Sequence, residues 1–270
     1  MASFETAFAK INLALHVRRR RPDGYHDIET IFAFAEDGDR LERDADGTGL
    51  TIEGPFGAGL TAGNDNLVRR AAEALGRADV GLRLDKRLPI AAGIGGGSAD
   101  AAAALRLLRP PGVDEVALEA IAAGLGADVP ACLLSQTARA EGLGYPVEPI
   151  AAAGLSAMPL LLVNPRVPCP TGPVFAGWDR IDRGPLAGSD PLAAALVGRN
   201  DLELPARAAL PVIDAVLALL QAQHGVLLAR MSGSGATCFA LFDRQTDRDA
   251  AAAAVEQAQP AWWCLATALR

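Results

Sequence analysis

Lysine is almost absent from this sequence. Of the 25 Lys and Arg residues in a chain of 270, only Lys10 and Lys86 are lysines. Where any positive charge would serve, the chain uses Arg. A retained Lys is then suspected of a task that Arg cannot do, because an ammonium is a compact donor with a shiftable pKa. Chance retention is the competing reading. Cysteine is also scarce. Cys132, Cys169, Cys238 and Cys264 stand far apart with no C-x-x-C pair. That spacing excludes a zinc finger and reads as free thiols in a reducing cytoplasm. Three histidines, His16, His26 and His224, are too scattered for a His-rich metal site. No apolar run reaches the roughly 18 residues of a membrane span. The first residues, Met1-Ala2-Ser3-Phe4-Glu5, lack the basic and then apolar order of a signal peptide. A net charge of −7 is not the footprint of a general nucleic-acid binder. No G-x-S-x-G elbow is present for a serine hydrolase.

What is present suffices for a sizeable core. Half the residues are hydrophobic, and at about 150 residues per domain the length allows two domains or one large one. Strand-like alternation runs over residues 4–8, 11–17 and 28–35, with Arg18 to Gly24 read as a turn around Pro22-Asp23-Gly24. Residues 50–52 and 80–88 read as further strands, and 66–77 as a helix. An alanine-rich helix is expected over 98–108, stopped by Pro110 and Pro111, and another over 114–125. In the second half, 158–163, 226–231, 238–242 and 263–267 read as strands. Helices are expected over 211–223 and 248–257. Residues 165–173 read as a proline-rich loop, and 184–198 as irregular or weakly helical. The pattern is mixed α+β in two lobes, with a seam near 140–155.

The strongest local signal is Pro89-Ile90-Ala91-Ala92-Gly93-Ile94-Gly95-Gly96-Gly97-Ser98. It places four glycines in five positions ahead of good helix formers. Glycines let the backbone approach a ligand closely. A helix start presents unpaired N–H groups and partial positive charge, which favour phosphate. Ser98 suits an N-cap or a phosphate donor. A flexible loop with an ordinary cap is the plain alternative. The Walker pattern fails because no Lys precedes Ser98, and the Rossmann fingerprint fails because Ser98 stands where its third glycine should be. A second glycine loop, Met231-Ser232-Gly233-Ser234-Gly235-Ala236-Thr237, is either a tight hairpin or a second pocket wall. Lys10 and Asn12 share one face of a strand. Asp128, in Gly126-Ala127-Asp128-Val129-Pro130, is either a cap or turn residue or a carboxylate that handles an alcohol proton beside a lysine. Arg18 to Arg21 is either a solvated turn or an anion-attracting patch. Trp262 and Trp263 read as packing residues.

Together these pieces resemble the GHMP kinase superfamily of small-molecule kinases. The loop Pro89 to Asp100, Lys10 and Gly233-Ser234-Gly235 carry the resemblance, which extends from about residue 5 to 245. Three further segments, Ala9-Lys10-Ile11-Asn12-Leu13, Arg21-Pro22-Asp23-Gly24-Tyr25-His26 and Gly126-Ala127-Asp128-Val129-Pro130, are similar to one member of it. That member acts on a cytidyl diphosphate sugar alcohol in isoprenoid precursor synthesis by the non-mevalonate route.

The resemblance implies a two-lobed α+β GHMP kinase fold. Its N-terminal, ATP-binding domain would span residues 1–150, resembling a ribosomal S5 domain with an unusual left-handed crossover. Its C-terminal domain would span 151–270, with the active site between the lobes. It implies ATP as phosphoryl donor with Mg²⁺, and no dedicated protein metal site. Lys10 and Asp128 become the catalytic pair. Pro89, Ala91, Ala92, Gly93, Ile94, Gly95, Gly96, Gly97 and Ser98 would hold the ATP phosphates, with Asn64, Asn66, Leu67 and Lys86 on the adenine side. Asn12, Tyr25, His26, Thr171, Phe175, Gly233 and Ser234 would bind the second substrate. In this set Tyr25 and Phe175 face the pyrimidine and His26 reads its edge; the plain reading of His26 is a turn residue. The expected state is a cytoplasmic monomer or weak homodimer without nucleic-acid or membrane partners. Gly172, Ala99 and Tyr145 depart from the family pattern. Two other classes stay open: a homoserine- or mevalonate-type kinase, and a non-catalytic nucleotide- or RNA-binding protein on the S5-like fold.

Overall fold

The computed structural model describes residues 4–152 and 154–270; Met1 to Ser3, within the segment read above for a signal peptide, lie outside the described residues. In chain order the elements begin β1 (Phe4–Arg20), β2 (His26–Asp44), β3 (Leu50–Glu53), α1 (Leu67–Ala74), β4 (Gly81–Asp85), α2 (Gly96–Leu108), α3 (Glu115–Leu125) and α4 (Val129–Leu134). They continue β5 (Ala138–Gly142), β6 (Val147–Pro149), β7 (Pro159–Asn164), α5 (Thr171–Ala176), α6 (Pro191–Val197), α7 (Glu203–Ala209) and α8 (Val212–Gln221). The chain closes with β8 (Val226–Met231), β9 (Cys238–Phe242), α9 (Gln245–Ala258) and β10 (Trp263–Ala268). This is the expected α+β mixture.

Packing divides the chain into two compact units. One holds the chain through Lys10, Asp37–Ile90 and Gly95–Ser135; the other holds Ile11–Glu36, Ala91–Ile94 and Gln136–Arg270. A division at 1–150 and 151–270 treats the chain as consecutive segments. The packing units are not consecutive segments: β1 and β2, which pair with each other, each contribute residues to both.

In the first unit β3 and β4 are parallel, with Leu50 opposite Leu82, and are joined through α1. β4 is antiparallel to the end of β2, with Leu41 opposite Leu84. Three helices complete this unit. α2 packs on α1 and α4 through Ala99, Ala101 to Ala104, Leu105 and Leu108, all buried. Small side chains let helices approach closely, and an alanine face costs little rotamer entropy.

In the second unit the start of β2 pairs antiparallel with β5, and β5 with β6. A separate antiparallel sheet has the order β10-β7-β9-β8. α8 buries Ile213, Val216, Leu217 and Leu220, the i, i+3, i+4, i+7 stripe of an amphipathic helix. That stripe joins a core with Leu161, Val163, Phe242 and Val255. Asp114 and Asp190 cap α3 and α6 by accepting from Ala117 and Ala193 N–H, as helix N-termini require.

Some elements differ from their expected extents. Arg18 to Arg20 belong to β1, and the turn runs from Arg21, whose N–H donates to Tyr25 O at 2.8 Å. α2 starts at Gly96, so Ser98 lies inside the first turn and Gly95 takes the N-cap place. Thr171 opens helix α5 rather than continuing the loop. α4, α7, β5 and β6 are short elements that hydrophobic periodicity does not reveal.

Candidate active site

In the first unit the expected catalytic pair comes together. Lys10 Nζ lies 3.1 Å from Asp128 Oδ2. The lysine side chain is 4% exposed and the aspartate 39%, so an enclosed cation faces a carboxylate open to solvent. Asp128 precedes α4 but makes no side-chain capping bond. Asp128 thus stands at the turn and N-cap position that its plain reading gives, while its carboxylate faces the ammonium instead of the helix N–H groups. Enclosing an ammonium costs stability unless it is paired. Sites that accept such costs are commonly functional.

Gly95 sits against this pair in the left-handed region, at φ +65°. A Cβ there would meet Lys10 Cε at 3.1 Å and Lys10 Cβ at 3.2 Å, so only glycine fits without displacing the lysine. The first intrahelical bond of α2 runs from Ala99 N–H to Gly95 O at 2.8 Å. The N–H groups of Gly96, Gly97 and Ser98 are thus outside the helix's own ladder. With glycine at the N-cap, no side chain competes for them. Cys132 lies nearby, 3.6 Å from the same Cβ position. Burial, then the charge of Asp128, pushes its thiol up to about 12, so it is not a nucleophile at neutral pH.

The other residues expected to hold nucleotide fall in several places. Pro89 is buried, Asn64 is exposed, and Ala91 is exposed with φ +51°. Asn66 caps α1 by accepting from Val68 N–H at 2.9 Å and also donates to Thr61 O. Leu67 lies 3.8 Å from the Cβ position of Gly97. Lys86 requires a correction. It is 1% exposed, and its ammonium contacts Asp39 at 2.5 Å and Asp100 at 2.7 Å. A group so enclosed presents nothing to adenine. Asp39 also accepts from the N–H groups of Arg87 and Leu88, whereas Asp100 Oδ1 has no hydrogen-bond partner among the described residues. Burial opposes the charge of Lys86, but Asp100 and Asp39 outweigh it and raise its pKa. Asp100 is pushed up to about 7, by burial first.

The second unit gathers a separate set. Ser232 Oγ donates to Gly93 O at 2.9 Å and accepts from Asn12 N–H at 3.2 Å. Thr237 N–H donates to Ala92 O at 3.1 Å. The front half of the first glycine segment, with Ala92, Gly93 and Ile94, is thus fastened to the second glycine loop. That loop closes the β8–β9 hairpin. A Cβ on Gly93 would lie 2.5 Å from Ser232 O and 2.7 Å from Gly235 O. Gly233 comes within 3.2 Å of Asn12 Oδ1 by the same measure. Ser234 Oγ pairs with Thr171 Oγ1 at 3.0 Å. Asn12 Nδ2 donates to Thr30 Oγ1 at 2.8 Å. Asn12, Gly93, Thr171, Gly233 and Ser234 therefore form one connected group. Sequence reading missed two of its supports, Ser232 as the bridge and Asn200, whose Nδ2 donates to Met231 O and Gly233 O at 2.8 Å each. Only the adjacency of Ser232 to the glycines signalled the first, and nothing local signalled the second.

His26 lies 5.1 Å from the Phe175 ring, tilted by 34°, and edge-on to Trp178 at 5.8 Å. Burial, then the nearby Arg20 charge, lowers its pKa. The neutral ring at pH 7 offers one N–H donor and one bare nitrogen. Tyr25 is 66% exposed, an aromatic face open to a ligand. Trp178, three residues after Phe175, was not anticipated. It also lines a cleft of about 570 Å³ with Arg18 to Arg21 and Arg180. Arg18, Arg19 and Arg21 each face a carboxylate, from Glu29, Asp27 and Asp23 respectively, so most of that charge is compensated locally. Trp262 packs against the core, as expected.

A glycine-started helix beside a Lys–Asp pair is an arrangement suited to phosphoryl transfer. The family comparisons agree. The model of the GHMP kinases N terminal domain matches residues 66–136, and that of the GHMP kinases C terminal region matches 186–261. The chain belongs to the GHMP kinase family. A 4-diphosphocytidyl-2-C-methyl-D-erythritol kinase of Rhizorhabdus wittichii is 61% identical, over 98% of this chain and 94% of the relative. The enzyme of that name from Sphingopyxis alaskensis is 53% identical over 98% of both chains. A crystal structure of a 4-(cytidine 5'-diphospho)-2C-methyl-D-erythritol kinase superposes with TM-score 0.78 at 36% identity, over 98% of both chains. A homoserine kinase from Cytophaga hutchinsonii shares the fold at TM-score 0.63 and 16% identity, over 100% of this chain and 96% of its own.

Proposed function

We propose that this chain transfers the γ-phosphoryl group of ATP to the 2-hydroxyl of 4-diphosphocytidyl-2-C-methyl-D-erythritol, a step in the non-mevalonate route to isoprenoid precursors. The Lys10–Asp128 pair, held against the glycine start of α2, is the observation that carries the chemistry. The full-length relatives of that name carry the choice of substrate.

ATP rests its phosphates on the first turn of α2, where the N–H groups of Gly96, Gly97 and Ser98 meet anions at the positive end of the helix. Asp128 orients or deprotonates the attacking hydroxyl. Lys10 holds that carboxylate and offsets charge on the transferring group, which in phosphoryl transfer is spread over equatorial oxygens. Mg²⁺ enters with ATP as part of the substrate, bound mainly by phosphate oxygens and water. In the second unit, Tyr25 and Phe175 stack on the pyrimidine, and neutral His26 hydrogen-bonds its edge. Thr171 and Asn12 offer polar atoms to the diphosphate and erythritol portions. The unpaired cysteines suit a reducing cytoplasm, and the enzyme acts as a monomer or weak homodimer.

Product identity tests this reading. Phosphorus NMR of the reaction should show a new phosphomonoester on the acceptor with its diphosphate intact. ATP consumption without that product would contradict it.

A further inference from the structure

Arg106 is a half-buried arginine of α2 with five hydrogen bonds, and it belongs to none of the groups above. Its Nε donates to Glu5 Oε2 at 2.9 Å and its Nη2 to Thr6 O at 2.8 Å, both on β1. Its Nη1 donates to Cys132 O at 2.9 Å, Leu133 O at 3.4 Å and Ser135 Oγ at 3.3 Å, at the C-terminal end of α4. β1 carries Lys10 four residues beyond Thr6, and Asp128 immediately precedes α4. The same helix α2 begins at the glycines. One planar guanidinium therefore joins the three elements that bear the phosphate-binding turn, the lysine and the aspartate.

Its chemistry suits that place. The last carbonyls of a helix lack intrahelical partners and carry partial negative charge, which a cation satisfies. α4 spans only Val129–Leu134, and so short a helix has little stability of its own. With its far end held by Arg106, the aspartate at its near end has a defined position. A rigid fork with five donors can serve both neighbours at once, and a lysine cannot.

We propose that Arg106 is a positioning residue for phosphoryl transfer: it fixes β1 against α4 and so sets the geometry of the Lys10–Asp128 pair. This rests on the catalytic roles proposed above. Misplacement of reacting groups by an ångström lowers turnover by about 10²-fold without a matching loss of binding.

The test measures kcat and both KM values for Arg106→Met, normalised to folded protein by circular dichroism. The expected result is a fall in kcat of about 10²-fold, with both KM values within about threefold of wild type, the signature of an interaction made only in the transition state. Arg106→Lys should recover little. A purely structural role would lower Tm and the folded fraction while kcat per folded molecule stayed at the wild-type value, and that result would overturn the inference. If Arg106→Met does not fold, the double variant Glu5→Gln, Ser135→Ala trims the network instead. It should lower kcat several-fold at unchanged KM, and an unchanged kcat would overturn the inference equally. Wild-type turnover on another alcohol but not on the cytidyl substrate would refute the substrate assignment alone, and Arg106 would then be tested on that alcohol. Failure of wild type on every alcohol would refute both.

Discussion

At Lys10 the ammonium is enclosed while its carboxylate faces solvent; at Lys86 the ammonium and both carboxylates are enclosed. The scarcity of lysine pointed to both residues, but only the environments separate them. Lys10 and Asp128 were legible because each stands in a family motif. Of the partners of Lys86, Asp100 ends the glycine segment, but Asp39 lies 47 residues away in a segment with no motif. Lys10→Met should retain nucleotide binding and lose about 10²–10³-fold in kcat, the scale of removing one preorganised charge from a transition state; calorimetric titration with ATP and a turnover assay check the two halves. The Lys86 cluster gives a pH prediction. The folded-state pKa of Asp100 is raised from 3.8 to about 7. Stability from such a group is fully present below its unfolded pKa and is lost as pH rises through the folded value. Asp100→Asn mimics the protonated form, so its Tm relative to wild type should be higher at pH 8 than at pH 5 by at least about 2 °C. An equal loss at both pH values would show that the charge of Asp100 is needed.

The glycine segment and α2 act as one element whose parts differ in tolerance. Gly93 is at φ +75° with backbone oxygens packed where a Cβ would go. Gly93→Ala should therefore destabilise the protein by about 1–3 kcal/mol from backbone strain alone, read from urea unfolding. A Cβ on Gly97 would meet only Leu67 among the described residues, at 3.8 Å, and Gly97 has no positive φ. Gly97→Ala should stabilise α2 by about 0.5–1 kcal/mol while raising the KM for ATP, because the methyl group occupies the phosphate approach. A Tm that falls with Gly97→Ala would show that this glycine is structural. Expecting α2 from Ser98 missed its first turn because glycine is a poor helix residue. α4 escaped notice because six residues containing Pro130 show no periodicity. The arginines that end β1 read as a turn, yet Arg18 and Arg19 are held in extended chain by Glu29 and Asp27 across the paired strands. The hairpin form of the second glycine loop was legible, but its fastening to Gly93 by Ser232 was not.

At the scale of the molecule, two features were readable from the start: the α+β mixture, and a resemblance running through both halves of the chain. The make-up of the compact units was not readable, because β1 and β2 each place residues in both. The fold alone does not choose a substrate, since a homoserine kinase has the same architecture at 16% identity. The choice rests on His26, Phe175 and Tyr25 together with the relatives matched over nearly the full length. The central claim is that these residues and the Lys10–Asp128 pair serve one reaction. Coupled measurement of ADP release tests it most directly, with 4-diphosphocytidyl-2-C-methyl-D-erythritol, homoserine and mevalonate offered separately at equal concentration. The account predicts kcat/KM for the cytidyl substrate at least about 10³-fold above the other two, because alcohols without the pyrimidine forgo the stacking and hydrogen bonding proposed for Tyr25, Phe175 and His26. Comparable rates on homoserine or mevalonate, or no acceptor-dependent ADP release, would contradict it.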